Sequence, residues 1–304
     1  MIEGVGRLTL AWVERQLQPQ ERVVAAMALQ GGVTARVVKL TVSTGDGRTR
    51  GLVLRSFIDV VEASDWLGRE AGALRTLAKR SGVVAPGLVA VDPAGEQCEW
   101  PSLLMTHLPG RVVLDDEGVE ERLPVLARQL VAIHGVQPRE RPKSFVTLST
   151  AETAVVPAGA DWSEAIDVIR RPAPAYVGRF LHRDFQPGNV LFEGQRITGV
   201  VDWAGTSWGP AELDVSHCST NLALLHGPEW GLRFAEAYQE AGGELANRRY
   251  WFVRDALAAS EEISRVSQPW REAGRMELTT ACLEQRLSNY IATLMESRAR
   301  TDEP

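Results

Sequence analysis

Lysine is nearly absent from this chain: Lys39, Lys79 and Lys143 are the only lysines among 33 basic residues. The skew reads as a coding bias of the source, and it bears on one position discussed below. Cysteine is scarce as well. Cys98, Cys218 and Cys282 are odd in number, far apart and without Cys-x-x-Cys spacing, so neither a disulfide framework nor a zinc site is expected. No apolar run approaches the roughly 18 residues of a membrane-spanning helix. The short apolar stretch near the N-terminus lies between Glu3 and Glu14, unlike a secretory signal. Internal repeats and low-complexity segments are missing too. The five histidines (His107, His134, His182, His217, His226) show no ligand spacing, so no transition metal is assigned. These absences point to a soluble, cytoplasmic protein in a reducing setting.

What is present is a sizeable globular chain. Its 304 residues exceed one typical domain and its hydrophobic share of 44% can fill a large core. The net charge of −6 argues against a general nucleic-acid or anionic-membrane binder and mildly favours cationic small molecules.

One stretch carries the chemistry. Leu181-His182-Arg183-Asp184-Phe185-Gln186-Pro187-Gly188-Asn189-Val190 sets Asp184 and Asn189 at the ends of a short loop between apolar runs. Glu193-Gly194 interrupts two β-rich runs and predicts a hairpin, whose second strand, Ile197 to Val201, ends on Asp202. Paired strands lie about 5 Å apart, so the hairpin returns a carboxylate towards Asn189. Phosphoryl transfer needs a group to orient or deprotonate a hydroxyl and oxygen ligands for Mg²⁺. Magnesium takes one or two carboxylates plus phosphate oxygens. Asp184 then reads as the base, with Asn189 and Asp202 as metal ligands. His-Arg-Asp, four residues, Asn is also the kinase catalytic-loop pattern. The competing explanation, turn capping by Asp and Asn, accounts less well for three role-compatible residues in one stretch.

Around it, Leu8 to Leu17 predicts a helix, and Val23–Leu29, Val33–Val42 and Gly51–Phe57 predict three antiparallel strands. Gly31-Gly32 reads as a hairpin turn; the alternative is backbone open to phosphate, with Thr34 helping. A helix runs from about Glu62 to Lys79. Glu70 sits on its apolar face with Leu67, Leu74 and Leu77, and an acid there requires a partner. Arg55, after Leu52-Val53-Leu54, is the expected one, with Glu62 as the alternative acid and Lys39 as the alternative cation. Trp100 to Gly110 is an apolar strand ending in Pro-Gly, a natural boundary, with lobes over 1–105 and 106–304.

Helices are expected over Leu123–His134, Asp161–Arg170, Gly209–Leu225 with Pro210 at its first position, Glu229–Ala241, Ala246–Val266 and Arg271–Met295. Most of the nine tryptophans are expected in the core. Asp255, Glu261 and Glu262 on the penultimate helix read as a solvated face, or else as a dock for ammonium groups.

These motifs resemble the aminoglycoside phosphotransferase (APH)-like small-molecule kinases, relatives of the protein kinases, over nearly the whole chain. Gly31-Gly32-Val33-Thr34 resembles the family's nucleotide-positioning loop, Val53-Leu54-Arg55 its third strand, and Arg69 to Leu74 the helix carrying the pairing acid. Leu103 to Gly110 resembles the hinge. His182–Asn189 and Val201-Asp202-Trp203 resemble the catalytic loop and metal segment, and Asp214 the acid that braces that loop. The resemblance implies an α+β, bilobal protein-kinase-like fold with a β-rich N-lobe and a mainly helical C-lobe. It implies ATP or GTP as donor, Mg²⁺, and a hydroxyl of a small molecule as acceptor. Asp184 would be catalytic. Gly31, Gly32, Thr34, Arg55, Glu70, Met105, Thr106, His107 and Leu108 would hold the nucleotide, and Asn189 and Asp202 the metal.

Arg55 departs from the family's usual lysine, which the scarcity of lysine rationalises. There is no Asp-Phe-Gly and no Ala-Pro-Glu, which argues against protein substrates. The acceptors to consider are an aminoglycoside or other antibiotic, and a metabolic amino alcohol or sugar. A non-catalytic nucleotide-binding scaffold is the reading from another class.

Overall fold

A computed structural model describes residues 4–29, 35–58, 61–78, 82–146, 153–158 and 160–296. The chain divides into two compact units, Met1–Gly110 with Thr198–Thr206, and Arg111–Ile197 with Ser207–Pro304.

The first unit is built on a five-stranded antiparallel sheet in the order β1-β2-β3-β5-β4. Its strands are β1 (Arg22–Ala28), β2 (Arg36–Ser43), β3 (Thr49–Ser56), β4 (Leu88–Asp92) and β5 (Ser102–Thr106). Alternation in β2 and β3 turns Val38, Leu40, Val42, Leu52 and Leu54 to one face. There they pack with Trp12 and Val13 of α1 (Arg7–Glu14) and with Val23, Cys98 and Leu104. At the N-terminus of α1, Glu99 accepts the backbone N–H groups of Leu8 (2.6 Å) and Thr9 (2.8 Å), a cap brought from 90 residues away. Glu70 of α2 (Ala63–Leu77) is buried among Leu67, Leu74 and Leu77, as its spacing predicts.

The second unit is mainly helical: α3 (Val119–His134), α4 (Ser163–Arg170), α5 (Glu212–His226), α6 (Pro228–Glu240), α7 (Arg248–Glu272) and α8 (Thr280–Glu296). Helix α5 is its centre, with 13 of its 15 residues buried. A helix buried all round shows no amphipathic stripe. Four uncharged polar residues, Ser216, Ser219, Thr220 and Asn221, are buried in it beside the acids Glu212 and Asp214, and Ser216 and Thr220 hydroxyls bond back to carbonyls of the helix itself. Its last carbonyls are met by arginines: Arg275 reaches Leu225 O at 2.9 Å, and Arg286 reaches Leu224 O at 2.8 Å and Leu225 O at 2.6 Å.

Two expectations are corrected. Gly209-Pro210 does not open a helix. The two residues belong to β9 (Ser207–Pro210), paired with β6 (Gly178–Leu181), and α5 begins only at Glu212. The small residues are there for close approach, since a Cβ at Gly178 would lie 2.1 Å from Trp208 Nε1 and one at Gly209 2.6 Å from Phe145 Cδ1. Helix α7 does not stop at Val266. It runs through Pro269 to Glu272, and the break falls between Ala273 and Thr279. The predicted hairpin is present as β7 (Val190–Glu193) and β8 (Arg196–Val200), turning at Gly194 with φ 59°. Trp12, Trp162, Trp203, Trp251 and Trp270 are core residues, whereas Trp100 is 39% exposed. Among the described residues no helix is long and apolar enough to cross a membrane.

Candidate active site

The loop after β6 is shaped by a carboxylate from another element. Asp214, in the first turn of α5 and fully buried, accepts the backbone N–H groups of His182 and Arg183, both at 2.7 Å. Its Oδ2 also lies 3.2 Å from His134 Nε2. Burial pushes the Asp214 carboxyl up, but His134, His182 and Arg183 outweigh it and leave the group below the usual carboxylate range. These bonds hold Arg183 at φ 74°, a left-handed conformation that costs a residue with a side chain roughly 1–2 kcal/mol. The backbone thereby turns at the residue before Asp184.

Asp184 is gripped from two sides. Asn189, at the end of the short 3₁₀ turn Pro187–Asn189, donates Nδ2–H to Asp184 O at 2.9 Å and to its Oδ2 at 2.7 Å. Asn189 Oδ1 is then the side-chain atom left to bind a cation. On the other carboxylate oxygen, Asp184 Oδ1, His217 Nε2 stands at 2.9 Å and Gln186 Nε2 donates at 3.3 Å. The far nitrogen of His217, Nδ1, lies 3.5 Å from Asp255 Oδ1 on α7. One imidazole thus bridges two carboxylates. Burial pulls its pKa down, but the bonds to Asp184 and Asp255 dominate and raise it to about 10, so it is an imidazolium at neutral pH. Burial works upward on Asp184, and the His217 bond and charge, His182 and Asn189 overcome it, so Asp184 stays ionised.

Asp184 and His217 form part of the wall of a cavity of about 400 Å³ within the helical unit. Arg183, Arg254, Asp255 and Glu262 supply its other charges. Of the three helix acids considered from the sequence, Asp255 and Glu262 therefore face this cavity, while Glu261 accepts a bond from Thr153. His217 escaped sequence reasoning: it stands 33 residues from Asp184 on a helix without amphipathic pattern, and only its i, i+3 spacing from Asp214 set it near that acid.

In the sheet unit Arg55 meets Glu70, with NH1 at 3.3 and 3.2 Å from the two carboxylate oxygens. The same guanidinium also grips Asp202, NH1–Oδ1 at 2.7 Å and NH2–Oδ2 at 3.1 Å. Glu70 in addition accepts the backbone N–H of Trp203. Asp202 takes φ 65°, which lifts its carboxylate out of the strand path, and its side chain stays 36% exposed. Neither alternative partner takes part: Glu62 is exposed at the start of α2, and Lys39 lies beside His107.

Asp202 and Asn189 both offer hard oxygen donors. A carboxylate accepts at about four lone-pair positions. Arg55 occupies two of those on Asp202, so room remains for a cation and the donor type fits magnesium. In the strip Met105–Leu108, Thr106 N–H donates to Gly87 O at 2.9 Å and His107 N–H to Gly51 O at 3.1 Å. Gly31, Gly32 and Thr34 lie outside the described residues.

The model of a family described as APH, phosphotransferase enzyme family, matches residues 26–257. Among solved structures, aminoglycoside phosphotransferase APH(4)-Ia in a ternary complex with ADP and hygromycin B is 17% identical, with a TM-score of 0.59 over 90% of this chain and 95% of that one. The macrolide 2′-phosphotransferase MphH of Brachybacterium faecium is 18% identical, with a TM-score of 0.59 over 90% and 97%. Amicoumacin kinase hAmiN, in complex with AMP-PNP, Ca²⁺ and Ami, is 12% identical, with a TM-score of 0.60 over 93% and 94%. No curated protein sequence matches the chain. At these identities the likeness speaks for the fold, a two-lobed kinase-like α+β architecture.

Proposed function

The chain belongs to the APH phosphotransferase enzyme family, and from that premise we propose that it moves the γ-phosphoryl group of ATP or GTP to a hydroxyl of a small molecule. It is a phosphotransferase with an alcohol acceptor. The observation that carries the proposal is the Asp184 carboxylate, fixed by Asn189 at 2.7 Å and His217 at 2.9 Å on the wall of a cavity.

Asp184 accepts a hydrogen bond from the acceptor hydroxyl and orients its oxygen for in-line attack. A carboxylate held below its usual range is a weak base, so orientation comes first and the proton passes to Asp184 as the oxygen loses electron density to phosphorus. His217, already an imidazolium, takes no proton itself; it keeps Asp184 ionised until that moment. Asn189 Oδ1 and the Asp202 carboxylate are the groups we assign to Mg²⁺. When bound, that ion would neutralise charge on the donor phosphates. Arg55, drawn to Asp202 and Glu70, is the cation we assign to the nucleotide. With two N–H groups of the hinge strip already donating within the sheet, Leu108 would be the residue whose backbone reads a purine edge.

The Arg55–Asp202 contact also favours a second reading, a nucleotide-binding scaffold in which the arginine keeps that carboxylate from a metal. Transfer of labelled γ-phosphate from ATP and GTP, with Mg²⁺, to hydroxylated antibiotics, amino alcohols and sugars separates the two. Transfer that is lost in Asp184→Ala protein supports the kinase. Nucleotide binding without Mg²⁺-dependent turnover on any acceptor supports the scaffold.

A further inference from the structure

The charge lining the Asp184 cavity is already balanced. Asp184 and Asp255 share His217, at 2.9 and 3.5 Å. Glu262 holds Arg265 at 2.7 Å. Two more cations, Arg183 and Arg254, line the same space. Among the described residues that line the cavity, each acid has a cation within 4 Å, so an incoming ammonium group would exchange water for carboxylates that are already paired. Desolvating several ammonium groups on those terms is unfavourable. The His217 ring stands between the Asp184 and Asp255 carboxylates, within 3.5 Å of both.

The remainder of the wall is apolar. Phe145, Leu213 and Leu224 face Ala258, Ala259 and Val266, the last three along one side of α7. Phe145 is fixed there by strand-like bonding, its N–H to Trp208 O at 3.0 Å, and by edge packing on Trp251 with centroids 6.0 Å apart. Apolar side chains continue outside. Val146, which also lines the cavity, is 59% exposed. Val155 and Val156 are 57% and 40% exposed on a segment tied to α7 by Val155 N–H to Ser260 Oγ at 2.9 Å, next to Ala259. Val146 thus adds an exposed apolar side chain to the wall itself, and an apolar lining with a few polar groups suits a ligand with an apolar body.

We propose that the acceptor is a hydroxylated molecule with a largely apolar body and at most one positive charge, seated against Phe145 and the Ala258–Ala259 face of α7 with its hydroxyl at Asp184, and that polyammonium compounds are excluded. The identity of the seated molecule as phosphoryl acceptor rests on the kinase reading above.

The test pairs calorimetric binding with labelled phosphate transfer on the full chain. The probes are neutral and singly basic macrocyclic lactones, long-chain amino alcohols, and aminocyclitol glycosides with several amines. A second protein, Ala259→Asp, places an unpaired carboxylate on the apolar wall, and its melting temperature reports whether it folds. Binding and transfer should favour an apolar-bodied member over every polyamine by about tenfold or more in kcat/KM. Ala259→Asp should reverse or erase that preference. Polyamines bound or phosphorylated as well as the apolar members would overturn the inference and leave the kinase standing. So would the absence of binding by every apolar-bodied probe. Apolar binding that Ala259→Asp weakens, with no transfer to anything, would overturn the kinase reading while the chemistry of the pocket held.

Discussion

Replacing Arg55 by leucine probes the link between the buried ion pair and the stability of the sheet unit. The guanidinium is 9% exposed and Glu70 1%, so the substitution leaves a carboxylate in the interior without its cation. Breaking a buried pair from one side costs about 3–5 kcal/mol. The Asp202 arm adds little, roughly 1 kcal/mol or less, because that side chain is 36% exposed and solvent screens it. At about 2–4 °C per kcal/mol the melting temperature should fall by roughly 6–20 °C. Arg55→Leu with Glu70→Leu should recover part of the loss, since an apolar replacement of a whole buried pair is often neutral or better, while the Trp203 N–H loses its Glu70 acceptor at a cost of about 1–3 kcal/mol.

The loss should also depend on pH. Burial and the nearby Asp202 push the Glu70 carboxyl above its ordinary 4.5, and Arg55 is what pulls against them. Without Arg55 the folded chain holds a proton that the unfolded chain has released, so stability drops as pH rises above 4.5 towards the raised folded-state value. The deficit of the single variant should therefore be smaller near pH 5 than near pH 8, measured by thermal and urea unfolding. Equal deficits at both pH values, or a double variant no better than the single, would refute the reasoning.

Three further outcomes are expected. His217→Asn removes the imidazolium that helps keep Asp184 ionised, so kcat should fall and the acidic limb of kcat/KM should move to higher pH. His217 has its pKa raised from 6.5 to about 10, so its stabilising effect is complete below 6.5 and is lost as pH climbs to about 10. Melting curves should thus show wild type losing its advantage over His217→Asn across that window. Asp214→Asn cannot accept both loop N–H groups, and an orphaned buried donor costs about 1–3 kcal/mol. Its melting temperature should drop, and phosphate transfer should drop further than the unfolded fraction explains, because Arg183 is released from φ 74°.

The parts of this protein legible in its sequence are those where local chain and chemistry coincide. Asp184 and Asn189 lie five residues apart and meet across one turn, and the hairpin that follows is written in Glu193-Gly194. Glu70 was recoverable because a charge among Leu67, Leu74 and Leu77 on one helix face demands a partner, and Arg55 is that partner. Its second bond, to Asp202, was not recoverable, since it joins residues 147 apart. The pairing of β6 with β9 escaped for a related reason: each strand is four residues long, and Gly209-Pro210 carries the signature of a helix start. The end expected at Val266 fell short in the opposite sense, because α7 carries Pro269 inside its last turn and runs on to Glu272. The cavity is the least legible feature. Phe145, His217 and Asp255 reach it from a bridging loop and two helices, and no spacing along the chain announces that they meet.

The central claim is that Asp184 orients an acceptor hydroxyl for phosphoryl transfer. Its most direct test is the rate of γ-phosphate transfer to a bound acceptor by wild-type and Asp184→Ala proteins, at equal folded fraction and saturating Mg²⁺ and nucleotide. The account predicts transfer by the wild type and its loss in the variant, with nucleotide binding and melting behaviour retained. Transfer by Asp184→Ala at the wild-type rate would contradict it.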